Sequence, residues 1–370
     1  MNFWQKMKNS GKPILCLAPM ADVTDVAFRF IIAEVSRGTL DTYVTYTEFV
    51  SADGLVRAPE KGRKKLLKDL EYSEIERPIV AQFFTNKPEM MEKASALAVD
   101  LGFDGIDINM GCPDKSIEKQ GAGAALIKNP KLARELIIAA KRGWDEGMRQ
   151  KENACKTKAI SGAGRPVSVK TRLGYNKDEL ETWLPELLAE NPAAIIIHAR
   201  TRKEMSKVPA QWARIARAVE IRNDIQNSEK SENIVSALGH KDKALETIFS
   251  DFSFRTLIIG NGDVENVEDA IKKCEESGAD GAMLGRAVFG NPWLFANYQP
   301  TLEEKLKVLL EHTKLFEEKF SGVKSFAIMK KHFKEYLKDS SLRDLRFKLM
   351  RAENVREVEE IISNFGFPTE

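Results

Sequence analysis

Several side chains in this 370-residue sequence are spaced so that a few polar groups could do redox or acid–base chemistry. Lys170 closes the run Val167-Ser-Val-Lys170 and so brings an ammonium to the end of an apolar strand. A lysine withdrawn from water needs an anionic or electron-rich partner. A neighbouring carboxylate satisfies it, and so does a reduced flavin, whose pyrimidine edge carries negative charge; Gln82 can donate and accept on that same edge. Two later strands end in Asn261-Gly-Asp263 and Gly285-Arg286, whose backbone amides can cradle one phosphate while Arg286 pairs with it. Cys112 stands in a Gly-Cys-Pro loop, a setting that favours an exposed thiol over a small core residue.

These residues share one property: each stands in the last part of a short apolar run or just after one. Such runs occupy residues 13–18, 43–46, 78–84, 105–109, 166–171, 194–198, 257–260 and 281–285, and helical patterns fall at 25–35, 88–101, 130–141, 178–190, 212–221 and 267–276. Eight alternations of strand and helix predict an α/β fold, a parallel (β/α)8 TIM barrel, with its chemistry at the C-terminal ends of the strands. Two long polar stretches, 143–164 and 222–255, interrupt the rhythm. Both precede a strand, so both read as decoration on the face opposite the site, with a helix expected around 241–249.

The barrel pattern stops near residue 299. Residues 300–370 hold no strand candidate and place Leu306, Leu309, Leu310, Phe316, Met329 and Phe333 at helical spacing, which predicts a small all-α domain after a barrel domain of residues 1–299. Residues 324–351 contain nine Lys/Arg against three Asp/Glu, whereas the chain as a whole carries only +2. Clustering of that kind, rather than bulk charge, is what a phosphate-binding surface requires. The four cysteines are far apart, with no C-x-x-C pair, so neither a disulfide scaffold nor a metal site is expected. No run approaches the 18 or more apolar residues of a membrane span, and the N-terminus lacks an apolar signal core; the expectation is a cytoplasmic, monomeric protein without membrane contact.

Ala18-Pro-Met-Ala-Asp22, Asp107-Ile-Asn-Met-Gly-Cys-Pro113, Gly121-Ala-Gly-Ala-Ala-Leu126, Val169-Lys-Thr-Arg-Leu-Gly174, Ile197-His-Ala-Arg-Thr-Arg202, Asn261-Gly-Asp263 and Gly278-Ala-Asp-Gly-Ala-Met-Leu-Gly-Arg286 together resemble the tRNA-dihydrouridine synthases, most closely their bacterial B-type branch. The resemblance spans residues 13–298 and, more loosely, the tail. It implies an FMN-bearing barrel with an RNA-binding helical domain, reducing a uridine of tRNA with electrons from NADPH. It places FMN contacts on Pro19, Met20, Ala21, Gln82, Lys170, His198, Asn261, Gly262, Asp263, Gly285 and Arg286, the catalytic cysteine on Cys112 and the uracil-binding asparagine on Asn109. An ordinary thiol is mostly protonated at neutral pH, so Cys112 is expected to deliver a proton to carbon 5 while a hydride reaches carbon 6. RNA contacts are expected from Arg172, Arg200 and Arg202 at the barrel mouth and from Lys330, Lys331 and Lys334 in the tail. Residues 203–212, Lys-Glu-Met-Ser-Lys-Val-Pro-Ala-Gln-Trp, depart from the family's tyrosine- and glycine-containing segment. Two rival readings are a dihydroorotate dehydrogenase-like flavin barrel, which has no use for a basic tail, and a non-catalytic tRNA-binding chaperone, which has no use for Cys112.

Overall fold

The computed structural model describes residues 1–36, 43–155, 164–237, 255–296 and 298–367. All eight expected strands form, as β1 (Ile14–Leu17), β2 (Thr45–Tyr46), β4 (Ile79–Phe84), β5 (Gly105–Asn109), β6 (Val167–Arg172), β7 (Ala194–His198), β8 (Leu257–Asn261) and β9 (Gly281–Leu284). One more, the two-residue β3 (Val50–Ser51), pairs with the far end of β4 and takes over where β2 stops. Every ladder is parallel, in the order β1-β9-β8-β7-β6-β5-β4-β2. Val44 closes the cylinder: its amide donates to Leu15 O at 2.8 Å and its carbonyl accepts from Leu17 N at 2.9 Å.

Period-two geometry decides which side chains enter the barrel. The interior cluster joins Ile14 and Cys16 of β1, and Ala18 just after it, to Val44, Tyr46, Val80, Ala194, Ile196, Leu257, Ile259 and Met283. Continued toward the C-terminal ends, the same alternation places Gln82, Asp107, Asn109, Ser168, Lys170, His198 and Asn261 on the inward side. The helix α1 (Phe3–Lys8), absent from the sequence expectation, caps the other end by burying Trp4 completely in this cluster.

Around the barrel run α2 (Val26–Ser36), α3 (Ala52–Arg57), α4 (Glu60–Lys68), α5 (Pro88–Asp100), α6 (Lys115–Lys119), α7 (Pro130–Cys155), α8 (Leu180–Leu188), α9 (Trp212–Ala237) and α10 (Val267–Ser277). Two expectations need correction. The stretch from residue 143 is not a loop: α7 continues through it, and its glycines serve packing. A Cβ on Gly143 would lie 2.0 Å from Glu92 O, and one on Gly147 2.7 Å from Val99 Cβ, so the two glycines let α7 lie directly against α5. The stretch from residue 222 is likewise the second half of α9, fixed by buried Arg222, which donates to Thr256 O at 3.2 Å and ion-pairs with Asp280. Both partners of Arg222 precede strands, which keeps this side of α9 at the N-terminal end of the barrel. The expected helix around 241–249 lies outside the described residues.

The tail forms α11 (Leu302–Phe320), α12 (Met329–Tyr336), α13 (Arg343–Leu349) and α14 (Val355–Asn364). Thr301 opens it with a capping box closed by Glu304. These helices share one apolar cluster with α2, running from Leu17, Phe28 and Ile32 to Leu309, Phe316, Phe333 and Leu349. Phe28 stacks on His312 with ring centres 4.9 Å apart and meets His332 edge-on at 4.7 Å. Beside them Lys324, driven above its ordinary pKa by Glu48 and Asp69, pairs with those carboxylates at 2.7 and 2.8 Å.

Asp25, just ahead of α2, is fully buried. One carboxylate oxygen accepts from Phe28 N at 3.0 Å and the other has no hydrogen-bond partner. Burial, and then Glu48, push its pKa up to about 7. A folded-state pKa above the unfolded value means stability present at low pH and lost as pH rises from about 4 through 7. Asp25→Asn keeps the acceptor for Phe28 and removes that loss. The thermal midpoint of the variant relative to the native protein should therefore climb between pH 5 and pH 8; a pH-independent difference would refute the assignment.

Candidate active site

Strand register builds the site. Gln82 lies beside Asp107, which lies beside Ser168; Asn109 lies beside Lys170, and His198 beside both Arg172 and Asn261. Inward-facing neighbours in one layer are close enough to bond, and they do. Asp107 accepts from Ser168 Oγ at 2.6 Å and from Gln82 Nε2 at 2.7 Å. Gln82 Oε1 accepts from Asn109 Nδ2 at 3.0 Å, and Asn109 Oδ1 accepts from the backbone N–H of Gly111 and Cys112 at 3.2 and 2.9 Å. The chain of bonds has only one sense, because a carboxylate cannot donate: it fixes the Gln82 amide, which fixes the Asn109 amide, which holds the cysteine loop. Burial lifts the Asp107 pKa to about 6.

That loop is held from its other side too. Ala124 N donates to Cys112 O at 2.9 Å, and the Arg172 guanidinium donates to Gly111 O at 2.8 Å. Cys112 is half-buried, and burial, with a lesser contribution of the Asp114 charge, raises its pKa against the opposing effects of the Asp114 backbone N–H and of Arg172 and Lys170. It is a thiol, not a thiolate, at neutral pH.

A cavity of about 610 Å³ opens at the mouth beside this loop, lined by Ala18, Pro19, Met20, Lys170, His198, Arg200, Asn261, Gly262, Asp263, Met283, Gly285 and Arg286 among others. Lys170 Nζ donates to Asn261 Oδ1 at 3.3 Å, and its pKa falls to about 8, first through burial and then through Arg172. His198 Nε2 lies 3.1 Å from Arg200 Nη1. Arginine can only donate, so this nitrogen is the acceptor and Nδ1 carries the proton. Burial and four surrounding cations keep the ring neutral. Gly262 has φ +120°, and a Cβ there would press on Ala210 at 2.9 Å and on the His198 ring at 3.0 Å, so the turn accepts only glycine. Trp212, the first residue of α9, fastens the turn by donating from Nε1 to Gly262 O at 2.8 Å. Asp263 then binds two arginines, Arg286 at 2.6 Å and Arg200.

The structure thus gathers Pro19, Met20, Lys170, His198, Asn261, Gly262, Asp263, Gly285 and Arg286 around one cavity, with Gln82, Asn109 and Cys112 in the adjoining network. Other expectations change. Ala21 is exposed and does not line the cavity. Asn109 spends its carboxamide on the loop, leaving one amide hydrogen for any other partner. The three mouth arginines all have partners within the protein: Arg172 turns inward onto the carbonyls of Gly111, Thr201 and Met205, Arg200 is 2% exposed and donates to Val208 O, and Arg202 is paired with Glu118 and stacked on Tyr175. Each holds the loop after β5, β6 or β7, a use that a run of cations in sequence does not reveal. Ser206, Glu265 and Met283, which also line the cavity, were not anticipated. Among the described residues no group of three or more His, Cys, Asp or Glu could hold a metal ion, and no helix is long and apolar enough to cross a membrane.

If Asp107 secures the cysteine loop through two amides, Asp107→Ala should free Cys112. Its alkylation by iodoacetamide, followed by peptide mapping, should accelerate about fivefold or more, the equivalent of about 1 kcal/mol for a lost buried bond. Asp107→Asn should react as the native protein does, because its remaining oxygen still accepts from Gln82 while the Ser168 hydroxyl, 3.3 Å from Ile106 O, turns there. Equal rates in all three proteins would break the relay.

The profile of the dihydrouridine synthase family, Dihydrouridine synthase (Dus), matches residues 16–226 and 243–365. A probable tRNA-dihydrouridine synthase of Staphylococcus aureus (strain MRSA252) is 33% identical over 369 residues, covering 98% of this chain and 95% of that one. Probable tRNA-dihydrouridine synthase 2 of Bacillus subtilis (strain 168) is 33% identical over 369 residues, covering 98% and 96%. Solved structures similar to the chain include an old yellow enzyme homologue from Zymomonas mobilis, at 12% identity and TM-score 0.42 over 78% of this chain and 89% of that one. Another is DHODH in complex with ferulenol from Eimeria tenella, at 13% and 0.41 over 82% and 81%. With the family profile covering most of its length and relatives at one third identity end to end, this chain belongs to the dihydrouridine synthase family.

Proposed function

We propose that the chain reduces a uridine of tRNA to 5,6-dihydrouridine at an FMN held in the mouth cavity, with NADPH as electron donor. The observation that carries this reading is the placing of a cation-lined cavity and a protonated, half-buried thiol side by side at one barrel mouth. The residues present fit FMN: Lys170 and the Nδ1–H of neutral His198 suit an electron-rich ring edge, and the turns at Gly262-Asp263 and Gly285-Arg286 open on the same cavity for one phosphate. The chemistry FMN supplies when bound there is hydride delivery to carbon 6 of the uracil.

The remaining work falls to the chain's own side chains. Cys112 Sγ–H gives its proton to carbon 5, and its raised pKa keeps that proton available at neutral pH. Gln82 and Asn109, locked in sense by Asp107, hold the loop so that the thiol meets one face of the base. Arg286 is the exposed cation of the pair on Asp263, its side chain being 62% exposed whereas that of Arg200 is 3%. An anionic phosphate would compete with Asp263 for Arg286 and leave Arg200 in place.

The RNA must be held while one nucleotide is drawn out of its stack, at a few kcal/mol. Lys324 is withdrawn from that task by Glu48 and Asp69. Lys331 and Lys334 are exposed and Lys330 half-buried. A groove of about 490 Å³ lined by Lys334, Lys338, Arg343, Arg346 and Phe347, with Met350 and one acid, Glu335, paired to Lys338, follows them, and Phe347 is 58% exposed with the Arg351 guanidinium 4.2 Å over its ring. Cations beside an open aromatic face suit single-stranded or flipped nucleotides.

The protein should purify with one FMN per chain, and Cys112→Ala should leave flavin bleaching by NADPH intact while slowing uridine reduction by about 10²–10⁴. Equal loss in both half-reactions, or FAD in place of FMN, would overturn this assignment.

Neutralising Lys330, Lys331 and Lys334 together should weaken tRNA binding and lower the slope of log K against log salt by about 0.7–0.9 for each phosphate no longer neutralised. FMN content should not change. An unaltered slope with unaltered affinity would return the tail to a solvated face.

A further inference from the structure

A second cationic surface lies outside the barrel mouth and outside the tail's own basic run. Residues 57–68 hold six Lys/Arg against one Glu. Most of them fall on α4, which contains no buried residue and is inserted between β3 and β4. Lys61, Lys64, Lys65 and Lys68 recur at i, i+3, i+4 and i+7 and so share one edge of that helix. They line a groove of about 410 Å³ whose other wall is Gly322 and Val323, in the turn after α11. The opposite edge, Leu66 and Leu67, packs against the barrel's apolar cluster.

We propose that this edge of α4 is a further anchoring site for RNA phosphates, which carries the tail's binding surface onto the barrel insertion. The inference rests on the reading of the chain as a tRNA-modifying enzyme. Among the described residues only two of the four lysines have acidic partners, Lys64 with Glu60 at 2.7 Å and Lys68 with Glu71 at 3.3 Å. Both are exposed pairs of near neighbours in sequence, and they neutralise little. Lys61 and Lys65, like Lys64 and Lys68, stand one turn apart with the same charge, which disfavours the isolated helix; an external anion relieves that repulsion.

Position supplies the second argument. Asp69, just past α4, is ion-paired with Lys324 at 2.8 Å; Lys324 also bonds Glu48, and Glu48 accepts from Asp22 N at 2.6 Å. Asp22 in turn faces Lys331 at 3.4 Å, and it follows Pro19 and Met20 of the cavity wall. This unbroken series of bonds places the α4 edge, the start of the tail's basic surface and the rim of the mouth next to one another. From residue 61 to 68 the helix rises about 10 Å, the span of roughly three phosphates along one strand. A membrane surface does not fit, because the apolar edge that would enter lipid is used against the barrel.

The test compares the full-length protein with its Lys61→Gln/Lys64→Gln/Lys65→Gln variant, titrated with an unmodified tRNA transcript over a salt series. The variant should bind about tenfold more weakly at 0.1 M salt, and its salt slope should fall by about 0.7–0.9 for each phosphate that α4 no longer engages. Thermal midpoint and the rate of flavin bleaching by NADPH should match the native protein, since these side chains are exposed and none of them lines the cavity. Native-like affinity and slope in the variant would overturn the α4 site alone. Failure of the native protein to bind tRNA would instead overturn the function on which the proposal rests.

Discussion

One buried carboxylate organises the centre of this barrel. Asp107 projects into the interior with no solvent exposure, where an isolated charge would be prohibitively costly. It is tolerated because Ser168 and Gln82 each give it a hydrogen bond and because the Lys170 charge stabilises its ionised form. Those compensating groups are also the ones that shape the site. Satisfying Asp107 orients Gln82, Gln82 orients Asn109, and Asn109 pins the backbone of Cys112. Polar groups occupy the interior on the β4–β5–β6 side and return at the mouth as His198 and Asn261, while deeper in the barrel β1, β7 and β8 contribute Ile14, Cys16, Ile196 and Ile259. The barrel is therefore polar where reactive groups must be held and close-packed where they need not be.

A second carboxylate does for the cavity rim what Asp107 does for its floor. Asp263, at φ +49°, lies between Arg200 and Arg286 and also accepts from Ala210 N at 2.8 Å. Arg200 is thereby committed to holding the neutral tautomer of His198. The rim combines one fixed and one exposed arginine on a single anion, an arrangement that can exchange a protein carboxylate for a ligand phosphate without leaving a buried charge unpaired.

The tail is not a separate body strung behind the barrel. It shares a core with α2, and Phe28, His312 and His332 pack ring against ring, neither histidine being able to carry charge there because burial drives both pKa values down. At the edge of this apolar joint Lys324 links Glu48, after β2, to Asp69, after α4. One ion-paired lysine thus ties together three segments that all border the mouth. This joint sets the spacing between the tail, α4 and the cavity, on which the proposed RNA contacts depend.

The barrel was legible in the sequence because each strand is a short apolar run ending in a polar or glycine residue, and parallel strands covered on both faces leave that mark whatever their neighbours are. Cys112, Lys170, His198 and the glycine turns could be picked out for the same reason, since they stand at strand ends. Glycine at 143 and 147 suggests a break, yet its meaning depends on how closely α5 approaches, which no local pattern contains. The six cations of residues 57–68 were visible but had no strand or helix to give them a position until α4 formed across a groove from the tail. Arg172, Arg200 and Arg202 show the limit most clearly. Three arginines beside an expected mouth look like a surface for phosphate, but whether a guanidinium faces solvent or turns back on carbonyls is settled by the path of the loops around it. The sequence alone determined the kinds of groups and their order along the chain. Only the tertiary structure decided which partner each charge would find, because long-range electrostatic and hydrogen-bond partners are chosen by distances in space that strand register and loop closure set.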